Sequence, residues 1–342
     1  MSKLKFASAF TGIAGFELGM REYIEPTVMI EWDKHCQVVL NRHYPAIPKR
    51  GDISDVTGKE VGKIDGYIGG FPCGDTSIGK ADRQGLAGPR SGYFSEFARL
   101  IAETQRILDE TRPRWVVIEN PVGLLSSPGV SRVDGIDRTG WDMAAVVRAL
   151  EDLGYGWAYR VVDGRYLGTP QKRERVIVVG HRGGDPRPAW EVLADEGPGQ
   201  GPARPRVEPR QRGPRARRGP EANGTLIWRK AARARASLAA GGYETWRPAE
   251  YANTLAGSDG GGPARQQHIL LQDGRLRTFT PLEWERLQGF PDGWTEGLPD
   301  SARFRLLGNA MHVGMAQWLG RRIAAVHHAL PQIETHLTGG AA

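Results

Sequence analysis

The first half of the chain alternates short apolar runs with stretches of helical periodicity. The apolar runs predict strands over 4–10, 27–30, 65–68, 115–118, 155–162 and 175–179. Between the runs, apolar residues recur at helical spacing over 16–23, 34–43, 93–111 and 142–153. A regular succession of strands and helices builds a sheet that is covered by helices on both faces. We therefore predict an α/β fold with a doubly wound, Rossmann-like sheet.

The composition indicates a globular protein from a reducing compartment. The 342 residues are 39% hydrophobic and 25% charged, so the chain can bury a large core, as two domains or as one domain with a large insertion. Cys36 and Cys73 are too few for a disulfide framework, and we expect a cytoplasmic protein with a free thiol at Cys73. Gly12, Gly15 and Glu17 interrupt the apolar stretch near the start, so we expect no export and no membrane anchor.

Basic residues point to a polyanionic partner. The formal net charge is +7, and arginines concentrate in a Pro-, Gly- and Arg-rich segment over 197–220, where seven of them accompany the single acid Glu208. No core can form from that composition. The segment is either a solvated linker or a basic arm that follows phosphates, and the two interpretations are compatible.

The regular pattern stops near His181 and returns at Thr280. The residues between 223 and 272 carry scattered aromatics and little periodicity, and such an irregular insertion usually determines specificity. Its basic residues Arg229, Lys230, Arg233 and Arg235 share one side of a possible helix, which is either a solvated face or a face that reads the polyanionic partner.

A glycine-rich turn follows the first strand and predicts a nucleotide site. Glycines at such a turn let the backbone approach a ligand at a helix N-terminus. After the second strand, Glu31 can bind ribose hydroxyls and Trp32 can stack on adenine, while Asp52 and Ile53 follow a third segment. We predict an adenosine-containing cofactor, and the candidate residues are Phe10, Thr11, Gly12, Ile13, Gly15, Glu31, Trp32, Asp52 and Ile53.

Cys73 and Glu119 are the candidate nucleophile and acid. Cys73 ends the turn Gly69-Gly70-Phe71-Pro72-Cys73, and Glu119-Asn120-Pro121 follows a strand. A lone thiol can be a buried structural cysteine. An open glycine–proline turn favours a reactive thiol instead, and a carboxylate that closes an apolar strand faces a cleft.

These motifs and their order resemble the DNA (cytosine-5)-methyltransferases of bacteria and phages. The matching motifs are Phe10-Thr11-Gly12, Glu31-Trp32, Gly70-Phe71-Pro72-Cys73, Glu119-Asn120, Gln171-Lys172-Arg173-Glu174-Arg175, Arg277 to Pro281 with Gln288-Gly289-Phe290-Pro291, and Gly308-Asn309-Ala310. The resemblance implies an S-adenosylmethionine domain over 1–183 and 303–332. It also implies an inserted target-recognition domain, mostly irregular or β, over 184–302, and 333–342 is expected to be a flexible tail.

The resemblance implies a covalent mechanism. A thiolate must add to cytosine C6 before C5 can attack a methyl sulfonium, and an acid at N3 neutralises the ring. The implied catalytic residues are Cys73, Glu119, Asn120, Arg173 and Arg175. Asn120 is expected to hold the loop geometry. The two arginines are expected to share one strand face, with the first contacting the cytosine O2 and the thiol region.

The resemblance also implies contacts to the cofactor and to double-stranded DNA. Pro72, Tyr93, Asn309 and Ala310 complete the implied cofactor site. The target base must be flipped out of the duplex, and the basic stretch 77–91 resembles the family's mobile catalytic loop. The implied DNA-binding residues are Ser77, Lys80, Arg83 and Arg90 in that stretch, with Gln171 and Thr254. We expect a monomer without a metal, and a cognate restriction endonuclease as a candidate partner.

Departures from the family pattern allow more than one function. The chain has Gly74, Pro121 and Leu306 where the family usually has Gln, Val and Gln. Ser8, Ala14 and Met311-His312 depart as well. Gly74 could widen the transfer channel for a bulkier sulfonium donor such as carboxy-S-adenosylmethionine, with His312 offering a charge. The same motifs would also suit a catalytically weak DNA-binding homologue or an RNA cytosine methyltransferase.

Overall fold

The computed structural model describes most of the chain. It covers 2–72, 92–107, 113–127, 135–194, 226–230, 246–249, 251–255, 268–272 and 275–338, with backbone alone at 226, 228–230, 246–248, 268–272, 275–276 and 331–338. The chain divides into two compact units. The first comprises Met1–Val162, Glu174–Gly201 and Met315–Ala342, and the second comprises Asp163–Arg173 and Pro202–Gly314. The predicted domain boundaries stay a prediction.

A mixed sheet forms the centre of the first unit. Its described strands are β1 (Leu4–Ala9), β2 (Ile24–Ile30), β3 (Lys49–Arg50), β4 (Gly66–Gly69), β5 (Trp115–Pro121), β6 (Tyr155–Asp163) and β7 (Glu174–Arg182), in the order β3-β2-β1-β4-β5-β7-β6. The pairs from β3 to β5 are parallel, and β7 runs antiparallel to β5. The predicted α/β class is confirmed. The short strand β3 escaped the sequence analysis because two residues carry no periodicity.

Helices connect the strands of the first unit. They are α1 (Gly15–Met20), α2 (Lys34–His43), α3 (Gly58–Val61), α4 (Tyr93–Ile107), α5 (Trp141–Asp152) and α6 (Arg187–Leu193). Asp33 caps α2 by accepting hydrogen bonds from the backbone N–H groups of His35 and Cys36. Helix α4 buries Phe94, Phe97, Leu100, Ile101 and Thr104, the three- and four-residue spacing of a helix that lies on a sheet.

The core of the first unit lies between the sheet and helices α4 and α5. Strand residues such as Ala7, Val116 and Val178 belong to the same buried apolar cluster as Phe97 and Val146 of the helices. Because strands β4 and β5 are buried along most of their length, they read as continuous apolar runs. The burial fixes the carboxyl ends of β1, β4 and β5, where the candidate site residues follow.

The second unit contains a small antiparallel sheet and helices. The described strands are β8 (Leu226–Lys230), β9 (Trp246–Ala249), β10 (His268–Gln272) and β11 (Arg275–Thr278), in the order β11-β10-β8-β9. Helices α7 (Pro281–Gln288) and α8 (Asp300–Asn309) follow, and α9 (Val313–Thr338) continues into the first unit. None of the described helices is long and apolar enough to cross a membrane.

One expectation for this region is wrong. Arg229 and Lys230 lie on strand β8 rather than on a helix, because β8 pairs on one side with β10 and on the other with β9. Pairing on both edges overrides a helical spacing of charges. Arg233 and Arg235 lie outside the described residues.

Candidate active site

The loop between β1 and α1 has an uncommon backbone. Phe10, Gly12 and Ala14 have φ values of 55°, 60° and 64°, in the left-handed region. That conformation is unfavourable for a bulky residue such as Phe10, and such strain often marks a ligand site. The loop is tied down on both sides, because the Thr11 hydroxyl lies 3.0 Å from Ser8 Oγ and Glu31 Oε2 accepts the Gly12 N–H at 2.8 Å.

An open recess lies beside this loop. It has an empty volume of about 190 Å³ and is lined by Phe10, Ile30, Glu31, Trp32, Gly51, Asp52, Ile53 and Tyr93. The recess therefore brings together six of the thirteen residues predicted to bind the cofactor, and Ile30 and Gly51, which also line it, were not predicted. Thr11, Gly12, Ile13 and Gly15 belong to the adjoining loop and the start of α1. Tyr93 packs edge-on against Phe10, with ring centroids 6.0 Å apart.

Glu31 is held rigidly at the edge of the recess. Its two carboxyl oxygens accept one backbone N–H each, from Gly12 and from Asp33, at 2.8 Å. Burial raises the pKa of Glu31, and the two backbone hydrogen bonds oppose that rise. The neighbouring Trp32 is 59% exposed, so its indole is open to a ligand.

Glu119 and Arg175 form a buried ion pair at the end of β5. Arg175 Nε lies 2.6 Å from Glu119 Oε1, and each side chain is 9% exposed. The antiparallel register places Pro121 opposite Arg175, so Glu119 is its diagonal neighbour. Gly70 makes room for the pair, because a Cβ atom there would lie 3.0 Å from Glu119 Oε2.

Asn120 connects the end of β5 to the turn before Cys73. Its side-chain nitrogen donates to the Phe71 carbonyl oxygen at 3.3 Å, and the residue is 1% exposed. Phe71 is buried against Phe94, with ring centroids 5.1 Å apart, and Pro72 follows. These contacts position the chain as far as Pro72, the residue before Cys73. The remaining predicted residues of this loop, Cys73, Gly74, Ser77, Lys80, Arg83 and Arg90, lie outside the described residues.

Arg173 and Arg175 have different surroundings. Arg173 belongs to the second unit, is 1% exposed, and donates to the carbonyl oxygens of Gly308 and Ala310 at the end of α8. Strand β7 begins at Glu174, so the expectation that both arginines lie on one strand is wrong. Arg173 leaves the strand ladder because its backbone N–H donates to the side chain of Asp163 instead.

The second unit brings Gln171 close to Thr254. Gln171 forms an isolated bridge with Ala252, and the Thr254 hydroxyl donates to the Lys172 carbonyl at 2.7 Å. The side-chain amide of Gln171 is fully buried and has no hydrogen-bond partner among the described residues. Asn309 is exposed and Ala310 is buried, both at the end of α8.

His312 is a buried residue of the second unit. Its Nε2 lies 2.7 Å from the Thr169 hydroxyl, and the ring packs against Gly164. A charge offered by His312 to a bulkier donor stays a prediction. The contact joins residues far apart in sequence, so no local motif could have predicted it.

Comparison with known proteins identifies the family. The profile of the family described as "C-5 cytosine-specific DNA methylase" matches residues 4–200 and 213–325. The chain belongs to this family. It is therefore a DNA cytosine-5 methyltransferase, and the predicted resemblance is confirmed. The family and its fold imply S-adenosylmethionine as methyl donor and DNA as substrate.

Curated relatives and solved structures agree with this membership. The chain is 28% identical over 342 residues to Type II methyltransferase M2.BsuMI of Bacillus subtilis (strain 168), covering 98% of this chain and 79% of that protein. It is 24% identical over 414 residues to Type II methyltransferase M.Sau3AI of Staphylococcus aureus, covering 95% and 97%. A Spodoptera frugiperda DNMT2 structure superposes with a TM-score of 0.62 at 16% identity, covering 94% of this chain and 99% of that one.

The recess of this methyltransferase fits an adenosine-containing donor. The exposed indole of Trp32 and the partly buried phenol ring of Tyr93 offer stacking surfaces, and the acids Glu31 and Asp52 offer acceptors for hydroxyl and amino groups. The left-handed loop beside them leaves backbone close to the recess.

Proposed function

We propose that this methyltransferase methylates C5 of a flipped-out cytosine in double-stranded DNA through a covalent bond between Cys73 and C6. The observation that carries the proposal is the buried Glu119–Arg175 pair, because Asn120 of the same strand end is bonded to the turn that leads into Cys73. An acid group and the approach to a thiol therefore meet where parallel strands end.

The recess is proposed to hold the donor. Glu31 would accept the ribose hydroxyls, Trp32 would cover one face of the adenine, and Asp52 with Ile53 would border its edge. S-adenosylmethionine supplies the methyl group as a sulfonium electrophile. Pro72, Asn309 and Ala310 stay predicted contacts. The tied loop over Thr11 and Gly12 would keep the backbone close to the donor without reorganisation on binding.

The chemistry is proposed to begin at the thiolate of Cys73. The thiolate forms a bond to C6, electrons move towards N3, and Glu119 gives N3 a proton that its carboxylate first takes up from solvent. C5 then carries enamine electrons and attacks the methyl group, whose bond to the sulfonium sulfur breaks to release S-adenosylhomocysteine. A base, for which water is the candidate, removes the C5 proton. The C6–sulfur bond then breaks to restore the thiolate, and N3 returns its proton to Glu119.

We propose different roles for the two arginines. Arg175 is proposed to orient Glu119 and to place a positive charge near the ring, since its guanidinium reaches that carboxylate. Arg173 is proposed to hold the segment after α8, because its donors meet the carbonyl groups of Gly308 and Ala310. We therefore infer that the second arginine, which contacts Glu119, acts at the cytosine.

DNA recognition is proposed to involve both the loop over 77–91 and the second unit. Gln171 and Thr254 belong to two segments that are proposed to reach the DNA together, because Gln171 bridges to Ala252 and the Thr254 hydroxyl donates to the Lys172 carbonyl. We propose a monomer, and a cognate restriction endonuclease as partner, since the relatives are named Type II methyltransferases. The wider transfer channel at Gly74 stays a prediction, and the buried His312 gives it no support.

The test is the nucleoside composition of DNA from a host that expresses the full chain. We expect 5-methylcytosine at a defined sequence, detected by mass spectrometry and by modification-sensitive sequencing. Cys73→Ala should abolish the product and the covalent adduct with a 5-fluorocytosine duplex. Cys36→Ala, which alters the buried thiol of α2, is the matched control and should keep both.

Two results would contradict the proposal. Retained methylation in the Cys73→Ala variant would remove the nucleophile. A carboxymethylated base, or methylation of RNA without methylation of DNA, would replace the proposed product or the proposed substrate.

A further inference from the structure

Glu17 is a buried acid that the proposed chemistry does not use. It lies in the first turn of α1, just after the left-handed loop that ends at Ala14, and is 2% exposed. Neither of its carboxyl oxygens reaches full hydrogen-bond geometry with a partner among the described residues. Burying a carboxyl group without a partner is costly, so its retention beneath the loop needs a reason.

Two hydroxyl groups connect Glu17 to the loop. The Thr11 hydroxyl lies 3.0 Å from Ser8 Oγ and 3.3 Å from the carbonyl oxygens of Ser8 and Ile30. The Ser8 hydroxyl, itself 1% exposed, interacts with the carboxyl group of Glu17 and lowers its pKa. A polar chain therefore leads from the loop through Ser8 to Glu17.

Among the described residues, the other titratable groups around Glu17 do not neutralise it. Tyr44, which follows α2, interacts electrostatically with Glu17 and has its pKa raised by burial, so it stays a neutral phenol. Arg21 after α1 acts on Tyr44. Burial, opposed by Ser8 and by the backbone of Glu17, raises the pKa of Glu17 to about 7. Both protonation states are therefore populated near neutral pH.

The two protonation states order the polar chain differently. A carboxylate accepts the Ser8 proton, which leaves Ser8 Oγ free to accept the Thr11 hydroxyl. A carboxylic acid instead donates to Ser8 Oγ, so that this oxygen accepts two hydrogen bonds and its own proton no longer points to Glu17; it then binds the Thr11 hydroxyl more weakly. The carboxylate form therefore favours the arrangement in which Thr11 is bonded to Ser8 and the loop is held in place.

We propose that Glu17 is a positioning residue, and that binding of the donor is coupled to release of the Glu17 proton to solvent. The proposal rests on the proposed function, since the donor is the ligand that the loop would contact. When the loop is ordered by the carboxylate form, the recess beside Phe10 and Glu31 is preorganised. Binding of the donor then shifts Glu17 towards that form, and the proton leaves to the buffer.

The expected effect follows from the fraction of carboxylate. If the carboxylate form alone binds, that fraction sets the apparent affinity, which rises about tenfold from pH 6 to pH 8 for a group that titrates near 7. The cofactor's own amino group titrates in all variants alike. The difference between variants therefore isolates Glu17.

The experiment is calorimetric titration of the full chain with S-adenosylmethionine across that pH range, in two buffers of different ionisation enthalpy. We expect Glu17→Gln to remove the rise in affinity between pH 6 and pH 8 that Glu17 gives the unchanged protein. The variant should also lack the proton release at pH 7 that comes from Glu17. Glu22→Gln, a change at an exposed acid after α1, is the matched control and should behave like the unchanged protein.

Ser8→Ala is the second variant. It keeps Glu17 but removes the connecting hydroxyl, so the affinity should also lose its extra pH dependence. This variant keeps the proposal testable if Glu17→Gln fails to fold.

The outcomes separate the two proposals. If Glu17→Gln, Ser8→Ala and the unchanged protein bind with the same pH profile and proton release, the role of Glu17 is overturned and the proposed function is not affected. No binding of S-adenosylmethionine by the folded, unchanged protein at any pH would overturn the proposed function, and with it this inference.

Discussion

At the scale of single residues, the site depends on side chains that make room for others. Gly70 leaves space for Glu119, and Asn120 reaches back to the Phe71 carbonyl. Phe10 accepts a left-handed backbone so that the loop can border the recess. The contacts of Gly70 and Asn120 join residues that are distant in sequence, and Phe10 has a strained backbone. None of these features can be predicted from the residue types alone.

Gly70→Ala should disturb the acid without unfolding the protein. The added Cβ would lie 3.0 Å from Glu119 Oε2 and 3.1 Å from the Glu119 carbonyl oxygen, and the carbonyl belongs to the backbone of β5. We expect the carboxyl group to turn away from Arg175 and methyl transfer to slow about tenfold or more, since positioning is sensitive to small displacements. Steady-state kinetics checks this.

A second glycine provides the control for that experiment. Within the part of the chain that the structure describes, no atom lies within 4 Å of the Cβ that Gly92→Ala would add, so this variant should keep the rate. An unchanged rate in Gly70→Ala, with normal binding of the donor, would argue against a precise role for the Glu119 carboxyl group.

At the scale of elements, the end of α8 is held by one buried guanidinium. A helix leaves its last carbonyl groups without partners, and a cation there also interacts favourably with the helix dipole. Arg173 supplies the hydrogen-bond donors and the positive charge, because its guanidinium donates to the carbonyl groups of Gly308 and Ala310. The segment Asp163–Arg173 therefore joins α8 firmly within the second unit.

Arg173→Met should destabilise the second unit. The change leaves buried carbonyl groups without donors, and we expect the free energy of unfolding to fall by about 2–4 kcal/mol. Arg286→Met is the control, because the Arg286–Asp292 pair is exposed to solvent and should contribute little to the free energy of unfolding. Urea unfolding followed by tryptophan fluorescence measures both, and equal effects would contradict the buried role of Arg173.

At the scale of the whole molecule, stability and activity draw on different parts of the chain. The site residues follow the carboxyl ends of β1, β4 and β5. At the opposite end of β5, Trp115 donates to His327 Nδ1 of α9 at 3.1 Å and packs against His181 of β7, with ring centroids 4.6 Å apart. This cluster of Trp115, His181 and His327 requires histidines that are not protonated.

Acid should therefore weaken the whole fold. Burial, followed by the charge of Arg114, lowers the pKa of His181 to about 4, and burial lowers the pKa of His327. A folded state that binds fewer protons than the unfolded chain loses stability as the pH falls from about 6.5 towards 4. The contribution should be less than about 1.4 kcal/mol per pH unit, because solvent screens these half-buried rings.

Thermal unfolding as a function of pH tests this expectation. His181→Gln should reduce the loss of melting temperature between those pH values, and His35→Gln, at an exposed histidine, should leave it unchanged. A His181→Gln curve with the full acid dependence would place the effect in the carboxylates instead.

The sequence by itself determined the succession of elements and the residue types at their ends. Apolar runs and helical spacing report burial directly, so the α/β class, the glycine turn, Glu31 and Glu119 could be read from local patterns. The same local patterns placed most of the side chains that line the recess. They could do so because parallel strands end at one edge of a sheet, whatever the details of packing.

The tertiary structure decided which of these groups meet. The antiparallel register of β5 and β7 brings Arg175, not Arg173, to Glu119, and the end of α8 takes the other arginine. Burial of Glu17 and the bond from His312 to Thr169 also join residues that no spacing connects. The physical reason is that register and long-range packing set the partner and the desolvation of a side chain, whereas the local sequence sets only its chemistry.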